Sequence, residues 1–559
     1  MSTDRRPRPP SRRTPGPRPP ASPPERTDQR AVERPERPDA TTGRNDRIAI
    51  AAVVVLSAVL HLWKLGYRPL AHDEAIDAWF SWQARDLGVM KYDPVYHGPL
   101  RFYLEGLGFH LFGTGATAAR MLAALAGIAG TAVIATRRNL LGRVGAPAAA
   151  LLFTVSPTVL TVTRTGREDS LTGLVSLGML LIVADALQRG TATQRHLVAM
   201  GALLATSFTL KETTFIFGFA GACFFVLLGI AAWGRDGAAR RFYRSLGEVG
   251  WQAWAWTILA FLAVFSIVFT SLFRYPEGFA DGLTDGIEYW LSQHSVGRGS
   301  QKWHFYLTIL VFYEWLIVGL AVAGGVFAWR RRDPVGGWLA TMAIVQLVVY
   351  TWAGEKFAWL MLHPVIPAVL LAGRAVQQLW NSRPELVARR LLAAGLALTA
   401  AGTLVIAVRP AITHGDDTRE LLVTVQTTRR VHDLAADIRA GHADGSIREV
   451  LVDSRDSGSW PWVWYLHELP GVAWVTIDPS QPLPMTTSGE PYDVYIVSAN
   501  LVDPAPEPPE GFTIEQIPLR GWWLPEWGNA SLGDVARWFF TRQTWNPTGT
   551  SDQYVIRRG

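Results

Sequence analysis

The sequence predicts a mainly α-helical, polytopic membrane protein that ends in a small α/β domain outside the membrane. Three observations carry this expectation. Apolar runs long enough to cross a bilayer recur from Ile48 to about Val408, the turns between them alternate in charge, and the composition turns mixed and polar after Pro410. Of the 559 residues, 49% are hydrophobic and 24 are tryptophan, a usage that suits membrane interfaces better than a soluble domain.

The chain opens on residues 1–47, nearly all Pro, Arg, Ser, Thr, Asp and Glu. With so little to bury, this stretch cannot offset its ordering entropy and is expected to be a disordered cytoplasmic tail. The first apolar run lies too far from Met1, and lacks the small-residue cleavage site, to be a signal peptide; it is expected to stay as an anchor. A crossing needs about 20 mostly apolar residues. The runs 48–66, 117–136, 145–162, 171–188, 196–210, 213–233, 251–273, 304–329, 335–353, 357–374 and 391–408 make about eleven candidates, with 196–210 the shortest.

Charge gives the orientation. If the Arg-rich tail is cytoplasmic, alternate turns should be basic. They are: Arg137, Arg138 and Arg143; Arg189 and Arg195; Arg235, Arg240, Arg241 and Arg244; Arg330 to Arg332; Arg374, Arg383, Arg389 and Arg390. An odd number of crossings of the inner (plasma) membrane then places 411–559 outside the cell. The net charge of +6 sits largely in the tail and these turns, with no basic face interleaved with aromatics, which argues against a nucleic-acid partner. The single Cys223 lies inside an apolar run and excludes an internal disulfide.

The opposite turns hold acid–base clusters. In the first outer loop, 67–116, His72, Asp73 and Glu74 open an amphipathic stretch. Ile76, Trp79, Phe80, Gln83 and Leu87 fall there at helical spacing, with aromatics suited to the lipid interface. Pro99 is expected to open a second short helix, Leu100 to Phe112. Asp73 and Glu74 alone would do no more than complement a helix dipole. They have companions: Arg164, Arg167, Glu168 and Asp169; Lys211 and Glu212; His294, Arg298, Lys302 and His304; Glu355 and Lys356. Ionisable residues this close to hydrocarbon are costly unless paired or functional. Snorkelling explains isolated Lys or Arg, and explains repeated acid–base pairs poorly. An Asp or Glu can deprotonate an attacking hydroxyl, while Arg, Lys and His can stabilise charge on a departing phosphate. An apolar groove between spans suits a polyprenyl tail. No Walker loop, dinucleotide-binding glycine pattern or Cys/His metal spacing occurs, so a lipid-linked donor fits better than a nucleotide.

Asp73-Glu74 in a long first outer loop, followed by Glu168-Asp169 in a later one, resembles the membrane-embedded GT-C glycosyltransferases. Protein O-mannosyltransferases and aminoarabinose transferases share that plan. HDEA at 72–75, YHGPL at 96–100, REDS at 167–170, KETTF at 211–215, AGEKFAWLMLHPVIP at 353–367 and WPWVWYL at 460–466 look more closely like the archaeal "flippase activity-associated" family, which also has bacterial members. Ala358 departs from the pattern, which expects Pro there. The resemblance implies a GT-C-like transmembrane domain over 48–410, with Asp73 as catalytic carboxylate, Glu74 as its neighbour, and Glu168 with Asp169 as the second acidic motif. His72, His97, Arg164, Arg167, Lys211, Glu212, His294, Arg298, Glu355 and Lys356 become candidates for binding donor phosphate or substrate. The implied reaction is inverting transfer of a hexosyl or pentosyl group from a polyprenyl-phosphate-linked sugar to a hydroxyl on a glycan, lipid or protein. Metal use varies across the superfamily, so a divalent metal stays open and none is assigned. The rival is a transporter or flippase-associated component that moves lipid-linked sugar without chemistry. It should hold ionisable groups near the midplane on broken, repeated helices, whereas these charges gather at one membrane face.

Residues 411–559 are expected to form the extracytoplasmic α/β domain. IREVLVD at 447–453, GVAWVTI at 471–477 and YDVYIVS at 492–498 read as strands, and Leu421 to Ile438 as a helix. Trp460, Trp462, Trp464, Tyr465, Trp522 and Trp523 suit core or interface packing at least as well as stacking on sugar rings. The domain is expected to assist recognition and leave the chemistry to the membrane loops.

Overall fold

The computed structural model describes residues 40–234, 236–293, 299, 301–478, 480–499 and 505–558. Residues 1–39, most of the expected tail, lie outside them. The first helix, Ala40–Leu62, already begins inside the segment read as unstructured. Residue contacts divide the chain after Ile48, and Ala49–Gly559 forms one compact unit.

The unit is multi-pass by length and composition. Among the described residues, eight helices are long and apolar enough to cross a membrane, or up to nine if one bent pair counts as a span. Three of the eleven expected runs do not form such a helix, each for a local reason. Run 145–162 breaks into Gly145–Val155 and Pro157–Val162, because Pro157 has no N–H to continue the helix and Ser156 turns to cap the next one. Run 196–210 is the short helix Gln194–Phe208. Run 304–329 bends by 98° between Phe305–Phe312 and Trp315–Arg331. The two breaks meet. Glu314, at the bend, accepts hydrogen bonds from Ser156 Oγ at 2.7 Å and the Thr158 N–H at 2.8 Å. Interrupted backbone inside a membrane unit survives only where protein groups satisfy it, and this contact does so.

The first outer loop folds as its pattern predicts, into His72–Leu87 and Leu100–Phe112. Two of its tryptophans pack against protein. Trp79 and Trp82 stack at 5.2 Å and both pack edge-on against His467, beneath the C-terminal domain. That domain is built on a six-stranded sheet: β1 (Gln426–Thr427), β2 (Val450–Asp453), β3 (Val472–Val475), β4 (Val494–Ser498), β5 (Phe512–Trp522) and β6 (Gly549–Arg558), in the order β1-β5-β6-β4-β2-β3. β2 pairs in parallel with β3 and β4, while β6 runs antiparallel to β4 and β5. The helix expected at 421–438 lies instead at Arg429–Asp444. Leu421, Leu422 and Val423, at the start of that stretch, are buried in an irregular segment. Of the tryptophans of 460–466, Trp462 and Trp464 are core residues and Trp460 is half-buried; Trp462 Nε1 donates to Gln553 Oε1 at 2.7 Å.

The sheet domain is seated firmly on the membrane part. The Leu70 N–H donates to Tyr465 Oη at 2.9 Å, Gln426 Nε2 to the Pro69 carbonyl at 3.0 Å, and Phe109 stacks on Trp464 at 5.7 Å. At the helix bend, Tyr313 Oη donates to Glu420 Oε2 at 2.8 Å; Arg409 and Arg542 reach Glu420 Oε1 at 2.6 and 2.8 Å.

Candidate active site

Most of the predicted charges converge, and the structure sorts them into two kinds. Glu74 belongs to the first. It points inward from the opening turn of its helix and accepts from Arg120 Nε and Nη2 (2.7 and 2.8 Å), Arg68 Nη2 (3.1 Å), and the N–H groups of Ala71 and Gly166 (2.9 and 2.8 Å). Burial would push its carboxyl up, but Arg120 and Arg68 outweigh burial and hold it well below the usual carboxylate range. Arg120 spends its other donors on the carbonyls of Leu65, Arg68 and Pro69. One carboxylate thus bolts the first outer loop, the helix Ala116–Thr136 and the 164–168 turn together.

A second knot surrounds Glu168 and Asp169. Lys211 Nζ lies 2.6 Å from Glu168 and 2.7 Å from Asp169. Arg101 pairs with Asp77, with Glu105 and Glu168 at 3.1 Å each, and donates to the Gly166 carbonyl at 2.5 Å. His97 bridges Glu212 at 2.8 Å and Glu168 at 3.6 Å, and His363 Nε2 lies 3.3 Å from Asp169. Burial raises the Glu168 carboxyl, and Arg167, Lys211 and His97 bring it far below its ordinary value. Arg164 turns elsewhere, donating to the carbonyls of Ala411, Leu60, His61 and Trp63.

Glu105 and Asp77 run the other way in this knot: burial raises the Asp77 carboxyl and carries that of Glu105 up to about 7 despite Arg101. A group raised on folding contributes stability below its ordinary value and loses it as pH rises through the folded one. Thermal unfolding should therefore show wild-type stability falling between about pH 5 and 8, and Glu105→Gln should lessen that decline, gaining roughly 1–3 kcal/mol at the alkaline end. Parallel pH profiles for the two proteins would reject it.

Asp73 is different in kind. Its side chain is 40% exposed, against 1% for Glu74 and Glu168 and 0% for Asp169. Arg167 Nη1 holds it at 2.6 Å while the same guanidinium pairs with Glu168 at 3.1 Å and lies over Trp359 at 4.5 Å. Asp73 opens into a cavity of about 380 Å³ shared by four parts of the chain. The first outer loop gives Arg68, His72 and Asp73, and the 161–167 turn gives Thr165 and Arg167. Phe357 and Trp359 come from the segment before the helix Leu362–Asn381, and the C-terminal domain adds Gln426, Asp456, Arg520 and Trp522. Burial, aided by Arg520, holds the His72 imidazole down to about 4 even though Asp73 opposes it.

Some candidates do not join. His294 and Arg298 lie outside the described residues. Lys302 and His304 line a separate cavity of about 210 Å³ with Glu526 and Trp527. Lys356 Nζ donates to the Ala353 carbonyl, and neither it nor Glu355 lines the Asp73 cavity. Sequence reasoning passed over Arg68, Asp77, Arg101, Glu105, Arg120, His363 and Arg520. Arg120 carried a signal, a lone charge within an apolar run, and so did Arg101 and His363, which adjoin or lie within the quoted motifs. Arg520 carried none. Among the described residues no group of three His, Cys, Asp or Glu side chains could hold a metal ion. The oxygens of Glu168 and Asp169 are turned to ammonium and guanidinium groups, a setting that does not fit a divalent ion.

Comparison with known proteins agrees with this architecture. Residues 96–237 match the model of the dolichyl-phosphate-mannose-protein mannosyltransferase family. No curated protein matches the chain. Among solved structures, ArnT from Cupriavidus metallidurans bound to undecaprenyl phosphate is 18% identical, with a TM-score of 0.54 over 82% of this chain and 94% of its own. Its apo form gives 0.53 at the same identity and coverage. The apo oligosaccharyltransferase of Archaeoglobus fulgidus is 12% identical, with a TM-score of 0.53 over 81% of this chain and 69% of its own. The chain therefore has the fold of the GT-C membrane glycosyltransferases, with the mannosyltransferase family's pattern in residues 96–237.

Proposed function

We propose that the protein transfers a sugar from a polyprenyl-phosphate-linked donor to a hydroxyl acceptor at the outer face of the plasma membrane, with Asp73 as general base. The observation that carries this reading is the contrast among the acidic residues. Glu74, Glu168 and Asp169 are buried and neutralised; of the two that line the cavity, Asp73 and Glu74, only Asp73 has an exposed carboxylate. The likeness to a structure bound to undecaprenyl phosphate supports a lipid-phosphate donor.

In this reading Asp73 takes the proton of the acceptor hydroxyl as its oxygen attacks the anomeric carbon. The bond from that carbon to the phosphate oxygen breaks, and polyprenyl phosphate leaves with the electron pair. A single displacement inverts the anomeric centre. Arg167 fixes Asp73, and Trp359 fixes Arg167. Lys211, Arg101 and Arg164 spend their donors inside the protein, so we assign them to the scaffold. The N-terminal segment is then cytoplasmic and the sheet domain extracytoplasmic, an orientation the basic turns support.

The test is transfer from a panel of polyprenyl-phosphate sugars to membrane-impermeant hydroxyl acceptors, scored by released polyprenyl phosphate and glycosylated product. Right-side-out membrane vesicles should label the acceptor and inside-out vesicles should not. Movement of lipid-linked sugar between leaflets with no product from any donor would replace the enzyme by a transporter.

A further inference from the structure

Arg520 stands apart from the other cations of the cavity. Arg68 is matched by Glu74, and Arg167 by Asp73 and Glu168. Among the described residues no carboxylate lies within ion-pair distance of Arg520. Its Nη1 donates to His72 Nδ1 at 2.8 Å and its Nη2 to the Asp456 carbonyl at 3.2 Å. Neither contact pairs the guanidinium with a carboxylate: an imidazole nitrogen that accepts a hydrogen bond is unprotonated there, and Asp456 accepts through its backbone, so the Asp456 and Asp73 carboxylates act on Arg520 only from beyond ion-pair distance. A guanidinium carries five donors in a planar fork, so this one keeps capacity for an anion.

The backbone places it deliberately. β5 and β6 pair in register up to Pro518↔Asp552, slip, and resume at Arg520↔Ser551. A bulge of this kind re-aims the side chain that follows it, and such bulges gather beside functional sites. Beyond the slip the alternation of the strand holds: Leu519 and Trp523 are buried, while Arg520 and Trp522 both face the Asp73 cavity. Burial outweighs those two distant carboxylates, and a partly buried guanidinium with no carboxylate at ion-pair distance is costly unless a ligand supplies an anion.

We propose that Arg520 is the ligand of a substrate phosphate: the C-terminal domain, through the bulge in β5, delivers to the Asp73 cavity a guanidinium that binds a phosphoryl oxygen. This rests on reading the cavity as the transfer site, and it makes the sheet domain part of that site. The phosphate has two chemical sources, the lipid-linked donor or a phosphorylated acceptor.

Binding of undecaprenyl phosphate and of inorganic phosphate to the full chain in nanodiscs distinguishes them. Arg520→Gln should weaken binding by roughly ten- to a hundred-fold, the usual worth of a charged hydrogen bond, with an unchanged thermal midpoint. Arg520→Lys should fall between, keeping the charge but losing the fork; it carries the test if the Gln variant unfolds. A loss confined to the lipid probe assigns the donor's phosphate, and one confined to inorganic phosphate assigns a phosphorylated acceptor. Equal binding of both probes by wild type and variants, or no binding of either by wild type, overturns the inference. Wild-type transfer activity retained fully in Arg520→Gln sinks this inference and leaves the function standing. Arg520-dependent binding of inorganic phosphate by a protein that ignores every lipid donor does the reverse.

Discussion

Asp73→Asn is expected to lower sugar transfer by about a hundred- to ten-thousand-fold, the range that general-base assistance contributes, while donor binding changes little. Asparagine keeps the size of the side chain and a carbonyl oxygen that can still accept from Arg167, so the cavity should keep its shape. The removed function is the capacity to take a proton. The loss should appear in kcat and kcat/KM together, with binding of undecaprenyl phosphate close to wild type. Transfer at the wild-type rate would reduce Asp73 to a carboxylate that complements its helix. Glu74 and Glu168 would be poor successors, because each is buried and already held by arginine.

Glu74 should behave in the opposite way. Glu74→Gln leaves the Arg120 guanidinium buried among carbonyls with no charge partner, and breaking such a pair from one side costs about 3–5 kcal/mol. The expected result is a sharply lower thermal midpoint and poor recovery of folded protein. Because a buried pair can often be replaced by apolar groups at little cost, Glu74→Leu with Arg120→Met should recover much of the loss, and a double-mutant cycle would measure the coupling. The folded carboxyl is depressed, so its contribution is complete above the ordinary carboxylate range and fades only as the solution becomes strongly acidic. A Glu74→Gln protein that melts with the wild type but cannot transfer sugar would make Glu74 part of the chemistry.

These two neighbours show where sequence reasoning ends. The adjacency of Asp73 and Glu74 marked the right place, and the helix opening at His72 was readable from spacing and composition. Which of the two faces solvent depends on Arg120, 46 residues beyond Glu74 in a helix that read as a plain span. The membrane part was legible because hydrocarbon demands long apolar runs, and the errors fell where a run is interrupted, at Ser156-Pro157 and at Tyr313-Glu314. In the sheet domain, the parallel strands read clearly as apolar runs. β5 and β6 were missed because alternation with charged residues, and Pro518 inside β5, resemble loop sequence. Arg520 was invisible for a deeper reason: its significance comes from a register slip between two strands, and no local pattern encodes that.

The clamp on Glu420 bears on how such proteins could exchange parts. Composition changes at Pro410 and suggests a cut there, yet Arg409 lies before that point, Tyr313 sits at a helix bend far upstream, and Arg542 belongs to the last stretch of the chain. All of them meet one carboxylate. A chimera that grafts a foreign sheet domain at this boundary inherits half of the clamp and strands the other half, whatever the quality of the donor domain. Transplantation between relatives would have to carry residues 313, 409, 420 and 542 as a set, so the heritable module here is a joint rather than a domain.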